Sequence, residues 1–383
     1  MSTHSTKTLR QRIKTLMFWL AGFLIIAASA IFAYMQHPKF GRLPDGDHLG
    51  KIQSSPNYVD GEFRNQIETP IFTGEESFAS VVWKNLTSSS AGLAPDNALP
   101  SVKVDIRSLD PAEDLLIWLG HSSFYLQLAG KRFLIDPVFG PNAAPVPGMI
   151  PAFQGTTPYT VEDFPAIDYL LITHDHWDHL DYPSLTALQS RVSEVITPLG
   201  VGAYLQGWGF DSARITEGDW YDEFGLDGDL KIHVIPARHY SGRALKRRQT
   251  LWAGFIVESP SYRLLFSGDS GYGPHFTELG NKFERFDLAA LDQGQYDDRW
   301  ANIHMTPEQA ALAAEELGAQ FLLPSHVGKY ALAKHPWQEP FERITEASRN
   351  RSFGLVTPTI GKPIPLQQLD TRVSEAWWSN TQG

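Results

Sequence analysis

The sequence predicts a layered α/β (α+β) domain behind one membrane-crossing helix, on three observations. Leu16 to Met35 carries no charge over twenty residues. From Leu115 onward, short β-rich runs alternate with turn residues and then with helical segments. No period of about 20 to 50 residues recurs, which excludes a solenoid or propeller array. The 383 residues are 42% hydrophobic and only 20% charged, enough apolar material for one large core and too little charge for a disordered chain. With 32 Lys and Arg against 43 Asp and Glu the net charge is −11, so a nucleic-acid partner is disfavoured. There is no cysteine, which removes disulfides, thiolate metal sites and cysteine nucleophiles together. Any metal must sit on His, Asp or Glu, and thirteen histidines are present.

In chain order, residues 1–15 form a basic tail with Lys7, Arg10, Arg12 and Lys14 and no acidic residue. Residues 16–35 follow as a transmembrane anchor, since twenty helical residues span about 30 Å. The positive-inside rule leaves the tail in the cytoplasm and sends the rest across. Ala28-Ser29-Ala30 offers a cleavable signal peptide as the alternative, and both readings export the chain. Residues 36–106 are rich in Pro, Gly, Asn and Ser and read as an irregular extension. Its Phe72, Phe78, Val81, Val82 and Trp83 are expected to pack on the main domain, and Thr87–Ser90 marks its linker-like half.

The main domain is expected over 107–365, with a tail at 366–383. Leu115–Leu119, Ser123–Leu128 and Arg132–Ile135 read as a meander broken at Gly120 and Gly130. Tyr169–Ile172 is a strand running into a polar loop and a helix opened by Pro183. Strands follow at Lys231–Ile235, Trp252–Glu258, Arg263–Phe266 and Leu288–Leu291. A helix begins after Thr306-Pro307 and stops at Gly318, and Phe321–Leu323 is the last strand.

The chemistry concentrates in Thr173-His174-Asp175-His176-Trp177-Asp178-His179-Leu180-Asp181 at the end of a strand. Side chains two apart in an extended segment share a side, so His174, His176 and Asp178 are expected to converge while Asp175 and Trp177 point away. One cation can take His174 and His176, and another beside it Asp178 and His179. Imidazole and carboxylate suit zinc, with manganese or iron also able to accept them. Three later strand ends offer one more ligand each: His239 in Ala237–Gly242, Asp269 in Ser267–Gly271, and His326 in Ser325–Gly328.

In that order the motifs resemble the metallo-β-lactamase superfamily of binuclear hydrolases. The resemblance implies a four-layer αββα sandwich with two metal ions, taken as Zn2+ with Mn2+ or Fe2+ possible, at strand ends between the sheets. It implies His174, His176 and His239 on the first metal, Asp178, His179 and His326 on the second, Asp269 between them, and a bridging hydroxide as nucleophile. Asp136 and Asp181 are candidates to orient a ligand imidazole, or else loop caps.

Within the superfamily the chain is most similar to the phospholipases D that hydrolyse N-acylphosphatidylethanolamine and to their bacterial relatives. Trp118–Ser122, Leu134–Phe139, the HDHWDHLDY segment, ARHYSGR, GDSGYGPHF and Asn302–Ala310 carry the likeness. The implied reaction is hydrolysis of a phosphodiester in N-acylphosphatidylethanolamine-like lipids. Asp178 and His304 are its catalytic candidates, His304 as general acid or phosphate contact, or else as a helix cap. Arg238 and Arg243 are candidates to hold an anionic phosphate, or else loop charges. Tyr240, Tyr272 and Tyr296 line the pocket or the core. Rival readings are a sugar-lactone hydrolase of the same superfamily and a non-catalytic membrane-anchored module, the latter at odds with seven filled ligand positions. The expected placement is a single pass through a bacterial inner membrane with the catalytic domain periplasmic or extracellular. The expected partners are a membrane lipid or small-molecule substrate and the membrane itself, with a homodimer possible.

Overall fold

The computed structural model describes residues 8–74, 92–369 and 376–381. Phe78, Val81, Val82, Trp83 and Thr87–Ser90 lie outside the described residues. The chain divides into two compact units, Met1–Gly41 and Arg42–Gly383.

The first unit is helix α1, Leu9–Met35, opened by a capping box in which the Thr8 N–H donates to Gln11 Oε1 at 3.0 Å. An 18-residue stretch of it has a mean hydropathy of 2.3, and the helix is long and apolar enough to cross a membrane. It starts ahead of the predicted Leu16, so Arg10, Arg12 and Lys14 are helical too. A short 3-10 turn at Pro38–Phe40 follows, with Lys39 Nζ donating to the Tyr34 hydroxyl at 2.7 Å.

The second unit opens with helix α2 (Gly46–Ser54) and a small hairpin, β1 (Tyr58–Val59) and β2 (Glu62–Phe63). Then come β3 (Leu115–Trp118), β4 (Phe124–Leu128), β5 (Lys131–Ile135), β6 (Ile167–Leu171), helix α3 (Tyr182–Leu188), β7 (Val192–Pro198), helix α4 (Gly202–Gly207), β8 (Ile215–Gly218) and β9 (Glu223–Gly225). Strands β10 (Lys231–Ile235), β11 (Gly254–Glu258) and β12 (Arg263–Phe266) lead to helix α5 (His275–Phe283), β13 (Leu288–Asp292), helix α6 (Pro307–Glu316) and β14 (Phe321–Ser325). Helix α7 (Glu339–Ala347), β15 (Gly354–Leu355) and β16 (Pro363–Pro365) complete it.

Two seven-stranded sheets result, in the orders β16-β3-β4-β5-β6-β7-β8 and β15-β14-β13-β12-β11-β10-β9. Each joins an antiparallel meander to a parallel half: β5 through β8 run parallel in the first sheet and β12 through β15 in the second. Residue alternation fixes the layers, because successive strand side chains point to opposite faces. Leu116, Trp118, Leu126, Phe133 and Leu171 meet Ile232, Val234, Phe255, Leu264 and Phe266 between the sheets. The alternate residues Leu115, Ile117, Tyr125, Leu134 and Leu170 pack outward on α3 and α4 through Leu185, Leu188 and Leu205. On the far side Ile256, Leu265, Ala289 and Leu322 pack on α5, α6 and α7. This is the predicted αββα sandwich. Both faces of its central strands are covered, which explains their near-continuous apolar runs.

The predicted strands and the Pro183 and Thr306 helices are present. Thr306 caps α6 through Gln309, and Gly318 after its end takes φ +65°, a left-handed conformation that favours glycine. Sequence reading left β7, β8, β9, α4, α5, α7, β15 and β16 unassigned, and the extension it took as irregular holds α2, β1 and β2. The segment from Arg42 packs on the sandwich, with Ile52, Phe63 and Leu99 in the inter-sheet core. Trp377 and Trp378 join the same core, so the described part of the 366–383 segment is docked.

Candidate metal centre

Every functional loop leaves the C-terminal end of a strand. Asp136 follows β5, His174–His179 follow β6, His239 follows β10, Asp269 follows β12, Asp292 ends β13 and His326 follows β14. Two four-residue donor groups form there, each with its ligand atoms within 4.8 Å of one another: His174, His176, His239 and Asp269, and His121, Asp178, His179 and His326; Asp269, His304 and His326 make a third that overlaps them.

Asp269 stands between the groups. Its Oδ2 lies 3.6 Å from His174 Nε2, 3.7 Å from His239 Nε2 and 3.3 Å from His326 Nε2, and its Oδ1 lies 3.0 Å from His179 Nε2. The structure thus brings together all seven residues singled out as ligands. The extended-segment argument accounts for His174 and His176 only. After His176 the chain turns, with the His179 and Leu180 N–H groups donating to the His176 carbonyl at 3.2 and 2.8 Å, and this swings Asp178 and His179 to the other group.

The imidazoles are aimed by partners on their far nitrogens. Asp136 Oδ2 faces His179 Nδ1 at 2.7 Å, the Ile303 carbonyl faces His239 Nδ1 at 2.9 Å, and Asp292 Oδ1 faces His326 Nδ1 at 3.1 Å. Such contacts fix the ring and raise its basicity toward a metal. Asp136 also accepts from the Thr173 N–H and hydroxyl at 2.8 and 2.6 Å. Asp181 instead caps α3 and accepts from the Gly140 N–H at 3.2 Å, so it is the loop cap of the two alternatives.

His121, Asp136 and His326 all have positive φ, 56°, 42° and 58°. This is backbone strain of the kind that persists at functional sites. Gly268 has φ +58°, and a Cβ there would lie 2.8 Å from Thr173 Cβ and 2.9 Å from the Ala253 carbonyl oxygen. A residue larger than glycine at 268 would push the loops of the two sheets apart.

The donor set fits divalent cations. Among the described residues His176 Nε2 is buried with no hydrogen-bond partner, and His179 Nε2 and Asp269 Oδ1 are buried with none but their own 3.0 Å approach, which is not directed as a hydrogen bond. His174 Nε2 lies only 2.9 Å from His176 Nδ1, and His239 Nε2 3.1 Å from the same atom. Burial first, and neighbouring imidazoles second, hold His174 well below its ordinary pKa, as a neutral ligand requires. Burial also opposes charge on His179 and His326, but the facing carboxylates outweigh it and raise both, His326 to about 10. Those are protons a bound cation would displace.

His304 lies beside the centre. Its Nδ1 is 2.8 Å from Asp292 Oδ2, and its ring stacks on that of His326 at 4.9 Å and 15°. It does not cap α6, since Thr306 does. A cavity of about 220 Å³ opens from the centre, lined by His176, Asp178, Asp269, His304 and His326 and by an apolar wall of Ile71, Phe72, Trp300, Ile303 and Leu332, with Tyr240 and Gln295.

The expected phosphate contacts are corrected. Arg238 is half-buried and bonds Thr69 Oγ1, the Tyr272 carbonyl and Asn302 Oδ1 at 2.9–3.1 Å. Arg243 is buried, with its guanidinium 3.8 Å from the Trp177 ring centre, and it donates to the Leu180 and Asp175 carbonyls at 2.7 and 3.2 Å. Both are struts of the ligand loops. Tyr272 bonds Glu316 at 2.5 Å and Tyr296 bonds Glu339 at 2.6 Å, and neither lines the cavity. Of the three tyrosines only Tyr240 lines it, its ring 4.6 Å from that of His176.

Sequence reading missed His121, whose Nε2 is 2.9 Å from Asp178 Oδ2, and Asp292, which ties His304 to His326. Each had a local signal: His121 beside a turn glycine between strands, Asp292 as a carboxylate closing an apolar strand. Asn65, Ile71 and Phe72 of the extension had none.

Comparison with known proteins bears on this geometry. The model of the family described as Beta-lactamase superfamily domain matches residues 131–327. An uncharacterized protein of Mycobacterium tuberculosis (strain H37Rv) is 36% identical over 334 residues, covering 85% of this chain and 88% of that protein. The N-acyl-phosphatidylethanolamine-hydrolyzing phospholipase D 1 of Caenorhabditis elegans is 31% identical over 242 residues, covering 60% of this chain and 68% of its own. Among solved structures, an isothiocyanate hydrolase from Delia radicum gut bacteria superposes with a TM-score of 0.52 at 21% identity, over 65% of this chain and 98% of that one, a likeness of fold.

Proposed function

Because the chain belongs to the metallo-β-lactamase superfamily of metal-dependent hydrolases, we propose that it is a phospholipase D-type phosphodiesterase acting on N-acylphosphatidylethanolamine-like glycerophospholipids. The observation that carries this reading is the cavity itself. Its floor is a two-group His/Asp centre suited to a phosphoryl oxyanion, and its walls are apolar, as an acyl-bearing substrate needs.

The first cation would be held by His174, His176 and His239, the second by Asp178, His179 and His326, with Asp269 shared. Two zinc ions, or manganese or iron in their place, supply an activated water at neutral pH and Lewis-acid stabilisation of the charge developing at phosphorus. The chain's own groups do the rest. His121 and His326 face the Asp178 carboxylate at 2.9 and 3.1 Å, fixing the edge it presents. When water adds to phosphorus and the headgroup P–O bond breaks, the leaving alkoxide needs a proton. His304 is placed to deliver it, with Asp292 Oδ2 facing Nδ1 at 2.8 Å and fixing the direction of the ring. Ile71, Phe72, Trp300 and Leu332 exclude bulk water and receive the acyl chain. Helix α1 would tether the enzyme in the bilayer that holds its substrate, with the basic tail cytoplasmic and the catalytic unit on the periplasmic or extracellular side.

The test is a hydrolysis screen of the detergent-solubilised, zinc- or manganese-loaded full chain against phosphatidylethanolamines, N-acylphosphatidylethanolamines and lactones. Release of the N-acylethanolamine headgroup is expected, abolished by Asp269→Ala. Lactone hydrolysis without phosphodiester hydrolysis would overturn the substrate assignment.

A further inference from the structure

The loop after ligand His239 runs through Arg243-Ala244-Leu245-Lys246-Arg247-Arg248, and its base is pinned on both sides. The Arg248 N–H donates to the Ser241 carbonyl at 2.8 Å, the Arg248 carbonyl accepts from the Phe63 N–H at 2.9 Å, and the Gln249 side chain bonds the Gly61 and Arg247 carbonyls at 3.1 Å. The apex is the reverse. Ala244, Leu245, Lys246 and Arg247 are all exposed, and Leu245 keeps 88% of its surface in solvent, the largest exposure among the large apolar residues described.

This apex adjoins the cavity mouth. The Arg247 guanidinium lies 5.5 Å from the Tyr240 ring centre and 5.8 Å from that of Phe72, and both rings line the cavity. Phe72 is itself 64% exposed. The carboxylates of the adjoining β1–β2 hairpin are engaged elsewhere: Glu62 faces Arg248 at 3.4 Å and Asp60 pairs with Arg64 at 3.0 Å. Lys246 and Arg247 have no carboxylate partner among the described residues. On a chain of net charge −11, these two cations thus stand at the mouth together with two exposed apolar side chains, Leu245 and Phe72.

An isolated exposed leucine is ordinary. Leucine at the tip of a pinned loop, followed by two cations without carboxylate partners among the described residues, the second of them beside an exposed aromatic ring, is the composition that seats in the interface of a bilayer, apolar groups among the acyl chains and cations at anionic headgroups. We propose that Leu245, Lys246, Arg247 and Phe72 form a lip that docks the cavity mouth onto an anionic lipid surface. The proposal deepens the lipid reading above and rests on it for the purpose of docking. A substrate held by the lip enters the cavity from the membrane plane without crossing water.

The chain has no cysteine, so Leu245→Cys labelled with a polarity-sensitive fluorophore reports on the apex alone. The full-length labelled protein is reconstituted into nanodiscs of phosphatidylcholine, and of phosphatidylcholine with phosphatidylglycerol in equal parts. A blue-shifted, brighter emission is expected only with the anionic lipid, reversed by high salt and by Lys246→Glu with Arg247→Glu. Each lost cation should weaken docking about fivefold. Emission that is identical in both discs and in detergent would overturn the lip. So would the same shift given by millimolar inorganic phosphate without bilayer, which would assign the cations to a soluble anion. The readout needs no turnover, so a failed substrate assignment and a failed lip give different results.

Discussion

Asn65 grips the main chain of His239 at both polar atoms. Its Nδ2 donates to the His239 carbonyl at 2.8 Å, and its Oδ1 accepts from the His239 N–H at 3.1 Å. The same Oδ1 accepts from Trp252 Nε1 at 3.1 Å, so one amide of the N-terminal extension locks a ligand loop to the segment that leads into β11. Asn65→Ala should therefore lower metal affinity and turnover together, by about 10–100-fold, with the unfolding midpoint nearly unchanged when both proteins are compared free of metal. Metal content after dialysis and kcat on one preparation check this, and full metal retention would assign Asn65 to packing alone.

Asp136 acts on the other group. Asp136→Asn keeps the shape but removes the charge behind His179, and the affinity of the second cation should fall by about 10–100-fold while the first stays bound. Competition with a graded chelator reads the two affinities separately. An equal loss at both would mean that the two groups act as one unit.

Arg243 is a strut, so its loss should be felt as instability. Arg243→Ala removes the stack on Trp177 and the bonds to the Leu180 and Asp175 carbonyls, and a destabilisation of about 3 kcal/mol is expected in denaturant unfolding. A rise in KM at unchanged stability would instead put its guanidinium on the substrate.

The pH response of α2 follows from His48. Burial lowers the pKa of this ring, but the hydrogen bonds with Gln206 and Glu217 outweigh burial and leave it raised. Both ring nitrogens face acceptor oxygens at 2.9 Å, Glu217 Oε2 and Gln206 Oε1, an arrangement that favours the doubly protonated form. A raised folded pKa means that the stabilisation is fully present below the unfolded value of 6.5 and is lost as pH rises through the folded value. Amide exchange in Gly46–Ser54 should accelerate, beyond its intrinsic pH dependence, above neutral pH. His48→Gln should remove that step.

Chelation should lower the thermal midpoint and abolish hydrolysis, and zinc or manganese should restore both. A cation at a thousandfold its dissociation constant stabilises the folded state by about 4 kcal/mol. A midpoint insensitive to chelator and metal would contradict a resident metal centre.

The sheets and most of the donor set were legible because both are written locally. A buried strand is a short apolar run, and the HDHWDHLD cluster sits where one ends. Among the strands that escaped notice, β7 to β9 lie toward sheet edges and carry outward polar residues such as Ser193, Glu194 and Glu223, which break the apolar run, while β1, β2, β15 and β16 are too short to show as runs at all. His121 and Asp292 are single residues on distant loops that only the closed sandwich brings beside Asp178 and His304. Arg238 and Arg243 misled because an arginine beside a ligand reads as exposed, whereas folding turns both inward onto carbonyls. The extension was opaque for a related reason: Asn65 and Phe72 act by where a chain without regular structure is laid down, and composition carries no trace of that path.

Each donor group draws on both sheets. His174 and His176 come from the first and His239 and Asp269 from the second, while Asp178 and His179 meet His326 across the same seam. A cation there ties halves of the chain that are otherwise held by side-chain packing and a few loop hydrogen bonds, such as Ala253 N–H to the Thr173 carbonyl at 3.0 Å and His326 N–H to the His121 carbonyl at 3.1 Å, so the halves are hardest to part while the ion stays bound. The metal-loaded protein should unfold as one cooperative body. Stripped of metal, it has a seam along which the halves can part in sequence, and the catalytic centre is then also the clasp that sets how many steps unfolding takes.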